Sequence, residues 1–204
     1  MRSICLTVHA DSPQIFFPML QDGIHIRTEV GCNLERLLCT VFDLSIDAIK
    51  QQIQILFLDG KAVDDMESAV VGDGASLALS SAMPGLAGTA LQRGGHLSSM
   101  RSGITHQGKN ETIAPGKGRV SIKFFNLLIS ELGMPFLLKG ICVGGIDLSG
   151  MLRSLSKALA AGAVKVTLDG RQIAADRLLG GEMISELEKE ATWLFRVEKS
   201  EKDT

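Results

Sequence analysis

Apolar Ile4, Leu6 and Val8 alternate with Cys5, Thr7 and His9, the period of a strand with one buried face. The same period returns at Ile24, Ile26, Thr28 and Val30. Between them a loop over 11–23 carries Pro13, Pro18 and the apolar cluster Ile15, Phe16 and Phe17. The spacing then lengthens: Leu34, Leu37, Leu38, Val41 and Phe42 share one helix face, with Asn33 before them as N-cap. Arg36 stands where a capping box has Glu. Residues 43–52 predict a further helical turn or loop.

Gln54 to Gly88 organises the rest. Ile55, Leu56, Phe57 and Leu58 run into Asp59-Gly60, and Asp-Gly between apolar runs predicts a hairpin, because a type I′ turn needs two residues that tolerate positive φ. Asp73-Gly74 predicts a second turn, and Ala75 to Leu79 a half-buried strand. ILFLDGKAV at Ile55–Val63 returns as KVTLDGRQI at Lys165–Ile173, an offset of 110 residues. A recurring motif of this kind predicts a duplicated unit.

The second half repeats the element order. Val120 to Phe125 predicts a strand, residues 126–133 an apolar loop or helical turn, and Phe136 to Val143 a returning strand. Asp147 opens a helix whose apolar stripe is Leu148, Met151, Leu152, Leu155 and Leu159, with Gly162 as its stop. Glu182 to Lys189 predicts a short charged helix and Thr192 to Val197 a last strand.

Composition narrows the class. Hydrophobic residues make up 45% and charged residues 22%, so the chain is globular rather than disordered. No apolar run approaches the roughly 20 residues that span a bilayer, and no leader is recognised, so neither membrane insertion nor export is expected. A net charge of −2 gives no case for nucleic acid. Cys5, Cys32, Cys39 and Cys142 lack metal-like spacing and are expected as small buried thiols in a reducing cytoplasm. Charge is unevenly spread. Residues 84–119 hold eight glycines and five basic residues against one acid, Glu111, and are expected as a linker or functional loop.

Element order and motifs resemble the β-grasp, or ubiquitin-like, arrangement, and within it the sulfur-carrier branch: the molybdopterin-synthase small subunit and the thiamine-biosynthesis sulfur carrier. VSIKFFNLLISELG at Val120–Gly133 is similar to their opening strand and leucine-rich turn. The two LDG turns are similar to their central hairpin. GDGASLALSSAMPGLAG at Gly72–Gly88 is similar to their last strand and its Pro- and Gly-containing tail. The resemblance implies an α+β fold of two β-grasp units in tandem, each a mixed sheet on one main helix. The expected division is 1–90, a Gly-rich basic segment at 91–118, and 119–204. Those carriers end in a Gly-Gly that is adenylated and thiolated. Here the second half continues as RVEKSEKDT, and Arg93-Gly94-Gly95 is followed by His96, so carrier chemistry requires cleavage after Gly95.

No nucleophile, base and orienting acid can be assembled from the sequence. The candidate site is therefore the basic loop at 92–106, where Arg93, Gly94, Gly95, His96, Arg101 and His106 offer backbone N–H groups and guanidinium forks to an anion or an acidic partner. A loop of that kind predicts that Arg93 and Arg101 can be replaced by Ala for under about 0.5 kcal/mol. His9 and His25, on facing strands, form a weaker metal candidate, short of the three or four ligands zinc needs. The expected function is a non-enzymatic binding or assembly module, without cofactor, that engages a protein partner or itself. The alternatives are the cleaved sulfur carrier, serving cofactor biosynthesis, and a small-ligand enzyme with its anion site at 92–106.

Overall fold

The structure, a computed structural model, describes residues 2–9, 13–107, 113–161 and 164–200. Among them the strands are β1 (Arg2–His9), β2 (Ile24–Val30), β3 (Cys32–Asn33), β4 (Ile55–Leu58), β5 (Lys61–Ala62), β6 (Val70–Val71), β7 (Ser76–Ser80), β8 (Gly116–Phe125), β9 (Ile141–Val143), β10 (Val164–Leu168), β11 (Arg171–Ile173) and β12 (Trp193–Ser200). The α-helices are α1 (Phe17–Asp22), α2 (Leu34–Phe42), α3 (Ile46–Gln52), α4 (Gly85–Leu91), α5 (Met134–Lys139), α6 (Gly145–Ser154), α7 (Ser156–Ala160), α8 (Ala175–Leu179) and α9 (Gly181–Lys189). The fold is α+β with mixed sheets. Among the described residues no helix is long and apolar enough to cross a membrane.

These elements form two units, a central one, Thr28–Leu132, and a terminal one, Met1–Arg27 with Gly133–Thr204. That grouping cuts the chain elsewhere than at 90 and 118. The sheet of order β2-β8-β7-β4-β5 belongs to the central unit from Thr28 of β2 onward, with β7 parallel to β8 and antiparallel to β4. Asn33 caps α2 as its position predicts, accepting the Arg36 N–H at 2.9 Å. The apolar face of α2 is buried through Leu34, Leu37, Leu38 and Phe42, and Phe42 meets Phe124 of β8 edge-on at 5.9 Å.

In the terminal unit the sheet order is β11-β10-β1-β12-β9. Here β1 is parallel to β12 and antiparallel to β10. The two LDG hairpins show that β1 stands in this unit where β7 stands in the central one. Asp59 donates its N–H to the Ser76 carbonyl at 2.8 Å and accepts the Ser76 N–H at 2.7 Å. Asp169 does the same with Ser3, at 2.9 and 2.8 Å. Leu58 pairs with Leu77 and Leu168 pairs with Ile4, one residue beyond each serine. So the strand beside the first hairpin comes from the residues that follow it, and the strand beside the second from the opening of the chain.

Both turns have the backbone that the motif predicts: φ is +50° and +76° at Asp59-Gly60, and +48° and +79° at Asp169-Gly170. A Cβ at either glycine would meet nothing within 4 Å, so the cost of a side chain there is conformational alone. Gly60→Val or Gly170→Val is expected to lose about 1–3 kcal/mol in a urea titration. An unchanged midpoint for both would overturn the turn assignment.

Elsewhere the structure departs from the pattern. Residues 13–16 form a 3-10 helix that runs into α1, so the loop at 11–23 is largely helical, and Phe16 is fully buried. Phe136–Lys139, expected as strand, belongs to α5; the strand begins only at Ile141. The cause is shared by both places. Pro18 and Pro135 each occupy the first turn of a helix, where the missing N–H costs nothing, and Gly23 and Gly140 stop it at φ +115° and +97°. Ser45 caps α3, accepting the Ala48 N–H. The expected stop at Gly162 lies outside the described residues. All four cysteines are free and half-buried rather than buried, and burial, with Glu198 adding, pushes the Cys5 thiol up to about 11.

Candidate functional site

The described part of the stretch expected as a linker, residues 84–107 and 113–119, is built into the central unit. After β7, Pro84 leads into α4, and residues 98–104 form a 3-10 helix against which α4 packs. The chain then returns to the sheet: Thr105 bridges Ala62 in parallel, and the His106 N–H donates to the Ala62 carbonyl at 2.7 Å. The excursion thus covers the outer edge of β5, which would otherwise expose unpaired backbone.

Arg101 holds it in place. Its side chain is only 3% exposed. Nε donates to the Ala90 carbonyl at 2.7 Å, Nη1 to the Thr105 hydroxyl at 3.0 Å, and Nη2 to Asp64 Oδ1 at 2.6 Å and the Gln92 carbonyl at 3.3 Å. The same Asp64 oxygen accepts the Gly94 N–H at 2.9 Å. Burial acts most strongly against the charged form of Asp64, but the Gly94 N–H and the two arginines outweigh it and hold the carboxyl below its ordinary value. Arg93 is tied down as well. Its N–H donates to the Gln54 carbonyl at 2.8 Å and its Nη2 to the Lys50 carbonyl at 3.0 Å. Burial lowers the pKa of the Arg93 guanidinium, against the opposing pull of Asp64 and Glu35.

Arg93, Gly94 and Arg101 therefore converge, but on Asp64 and backbone carbonyls, and the Arg101 guanidinium is closed to an incoming anion. Gly95 donates its N–H to the Gln92 carbonyl at 3.1 Å, which closes the turn between α4 and the 3-10 helix. His96 is exposed beside it. His106 is not part of this group: it lines a cavity of about 180 Å³ with Asp59, Lys61 and Gln107. His25 is half-buried on β2, while the His9 side chain lies outside the described residues. Among the described residues no group of three or more His, Cys, Asp or Glu is gathered to hold a metal.

Sequence reasoning missed Asp64, the acid at the centre. Nothing in the sequence singled it out: Asp64 and Asp65 follow directly on the hairpin, but Glu67, Asp73 and Glu111 all lie nearer to the basic segment along the chain. Sequence reasoning also missed the exposed apolar residues of the excursion. Met83, Leu86, Met100 and Ile104 are exposed, Leu86 at 72% and Met100 at 70%. Comparison with protein-family models, curated proteins and solved structures finds no match to this chain.

Proposed function

We propose that this chain is a non-enzymatic binding or assembly module of two β-grasp-like units, and that it holds a protein partner through the apolar surface of residues 83–104. The strand senses support the β-grasp part. In the terminal unit, successive neighbours from β9 are antiparallel, parallel, antiparallel and antiparallel. From β8 the central unit repeats the last three of those senses. The resemblance drawn from the LDG turns points to the same arrangement.

One observation carries the binding part. Among the described residues seven large apolar side chains are exposed, and four of them, Met83, Leu86, Met100 and Ile104, lie on this one excursion. Scattered apolar residues need no explanation, but four on one short segment pinned by a buried arginine offer a preorganised contact surface. Two of the four are methionines, whose unbranched, polarisable chains adapt to a partner's contour.

A photocrosslinking side chain placed at Leu86 or Met100, in the cell that makes the protein, tests this. The expected result is one dominant adduct from both positions; its mass tells a second copy of the chain from a different protein. The same group at Ile146, an exposed position of the terminal unit, is the control. Yields at 86 and 100 no higher than at 146 would sink the reading.

A further inference from the structure

In the terminal unit β11 is an outer strand of its sheet, and a cavity of about 500 Å³ runs along it. Arg171, Gln172 and Ile173 all line that cavity. Consecutive strand residues point to opposite faces, so three in a row on one cavity bring it up to the outer edge of the strand, while Arg2 of β1 and Leu168 of β10 place the rest of it over the face of the sheet. Leu168 pairs with Arg171 across the two-residue turn. Arg171 therefore turns its backbone N–H and C=O inward to β10, and Gln172 turns both outward. Among the described residues the outward groups of Gln172 have no backbone partner outside the ladder.

The charges around this edge select its occupant. Arg171 and Arg177 line the cavity, are exposed, and make no ion pair among the described residues. Arg2, also on the wall, is already neutralised by Asp169 at 3.0 Å and Glu186 at 2.7 Å. Two guanidinium groups thus remain to meet carboxylates. Half-buried Leu168, Ile173 and Met183 supply apolar wall beside them, suited to an aliphatic side chain. We infer that the β11 edge takes up an extended acidic peptide of a protein partner as an added strand, with its carboxylates on Arg171 and Arg177. Backbone bonds at Gln172 supply attachment and the arginines supply the choice of sequence. The site is in the other unit from the 83–104 surface and does not depend on it.

Fluorescence anisotropy on the full chain tests this, using a labelled short peptide of alternating Glu and Val. Saturable binding is expected, with no binding of the Lys-Val counterpart. Arg171→Glu with Arg177→Glu should weaken it about tenfold or more, because like charges then face each other. Circular dichroism checks that this surface variant stays folded. The same peptide N-methylated at alternate residues, which cannot extend a sheet, should not bind. Equal binding of the methylated peptide, or full displacement by millimolar inorganic phosphate, would show a simple anion site and overturn the added strand. No binding to the wild-type chain, or no effect of the arginine changes, overturns the proposal outright.

Discussion

Arg101→Ala is expected to destabilise the central unit by about 3 kcal/mol, near the lower end of the range for breaking a buried pair, because Asp64 keeps some contact with water. The loss has several parts. The Ala90 and Gln92 carbonyls and the Thr105 hydroxyl lose a donor, and Asp64 keeps only the Gly94 N–H. Arg101→Lys keeps the charge but not the planar fork that reaches four acceptors, so it should recover only part of the loss. Acid titration provides an independent check. The folded Asp64 carboxyl lies below its ordinary value, so the folded state binds fewer protons there than the unfolded state. Its contribution is present in full above the unfolded pKa of about 3.9 and disappears as pH falls through the folded value. Stability of the wild-type chain should therefore fall more steeply below about pH 4 than that of Arg101→Ala. A urea midpoint shifted by less than about 0.5 kcal/mol would mean that the excursion stands without this arginine.

This outcome reverses what the segment suggests as a string of letters. Glycine and arginine in a loop predict a solvated, replaceable surface, and here one arginine is the most buried charge among the described residues of the unit. Local signals were legible wherever a single residue dictates its own backbone. The two Asp-Gly turns and the Asn33 cap are of that kind. Strand partners were not legible. β1 (Ile4, Leu6, Val8) and β8 (Val120, Ile122, Phe124) carry the same apolar alternation, so either fits either sheet by pattern. Which sheet each joins is a long-range choice that periodicity does not encode. The Arg101 site failed for a related reason: its partner, Asp64, is 37 residues away, and only the fold brings the two charges to 2.6 Å.

Gly145→Val is expected to be the most damaging single change in the terminal unit, with a loss of about 3 kcal/mol or more. Gly145 opens α6, and a Cβ there would run into the Leu187 carbonyl oxygen and come within 2.7 Å of the Glu190 oxygen, both backbone atoms at the end of α9. The carbonyl cannot simply turn aside, because it accepts the indole N–H of Trp193 at 2.9 Å. Trp193 is fully buried, so a broken bond would leave its donor unsatisfied. Trp193 is also the sole tryptophan of the chain, and the Arg2 guanidinium lies 4.7 Å over its ring. Its emission therefore reports this packing directly, and Gly145→Val should shift it to the red at temperatures where the wild-type chain is intact. Gly150→Ala in the same helix is the control. Nothing lies within 4 Å of a Cβ there, so the change should be neutral or should stabilise by up to about 1 kcal/mol through helix propensity. If the two variants melt alike, α6 and α9 do not approach as closely as the Gly145 contact requires.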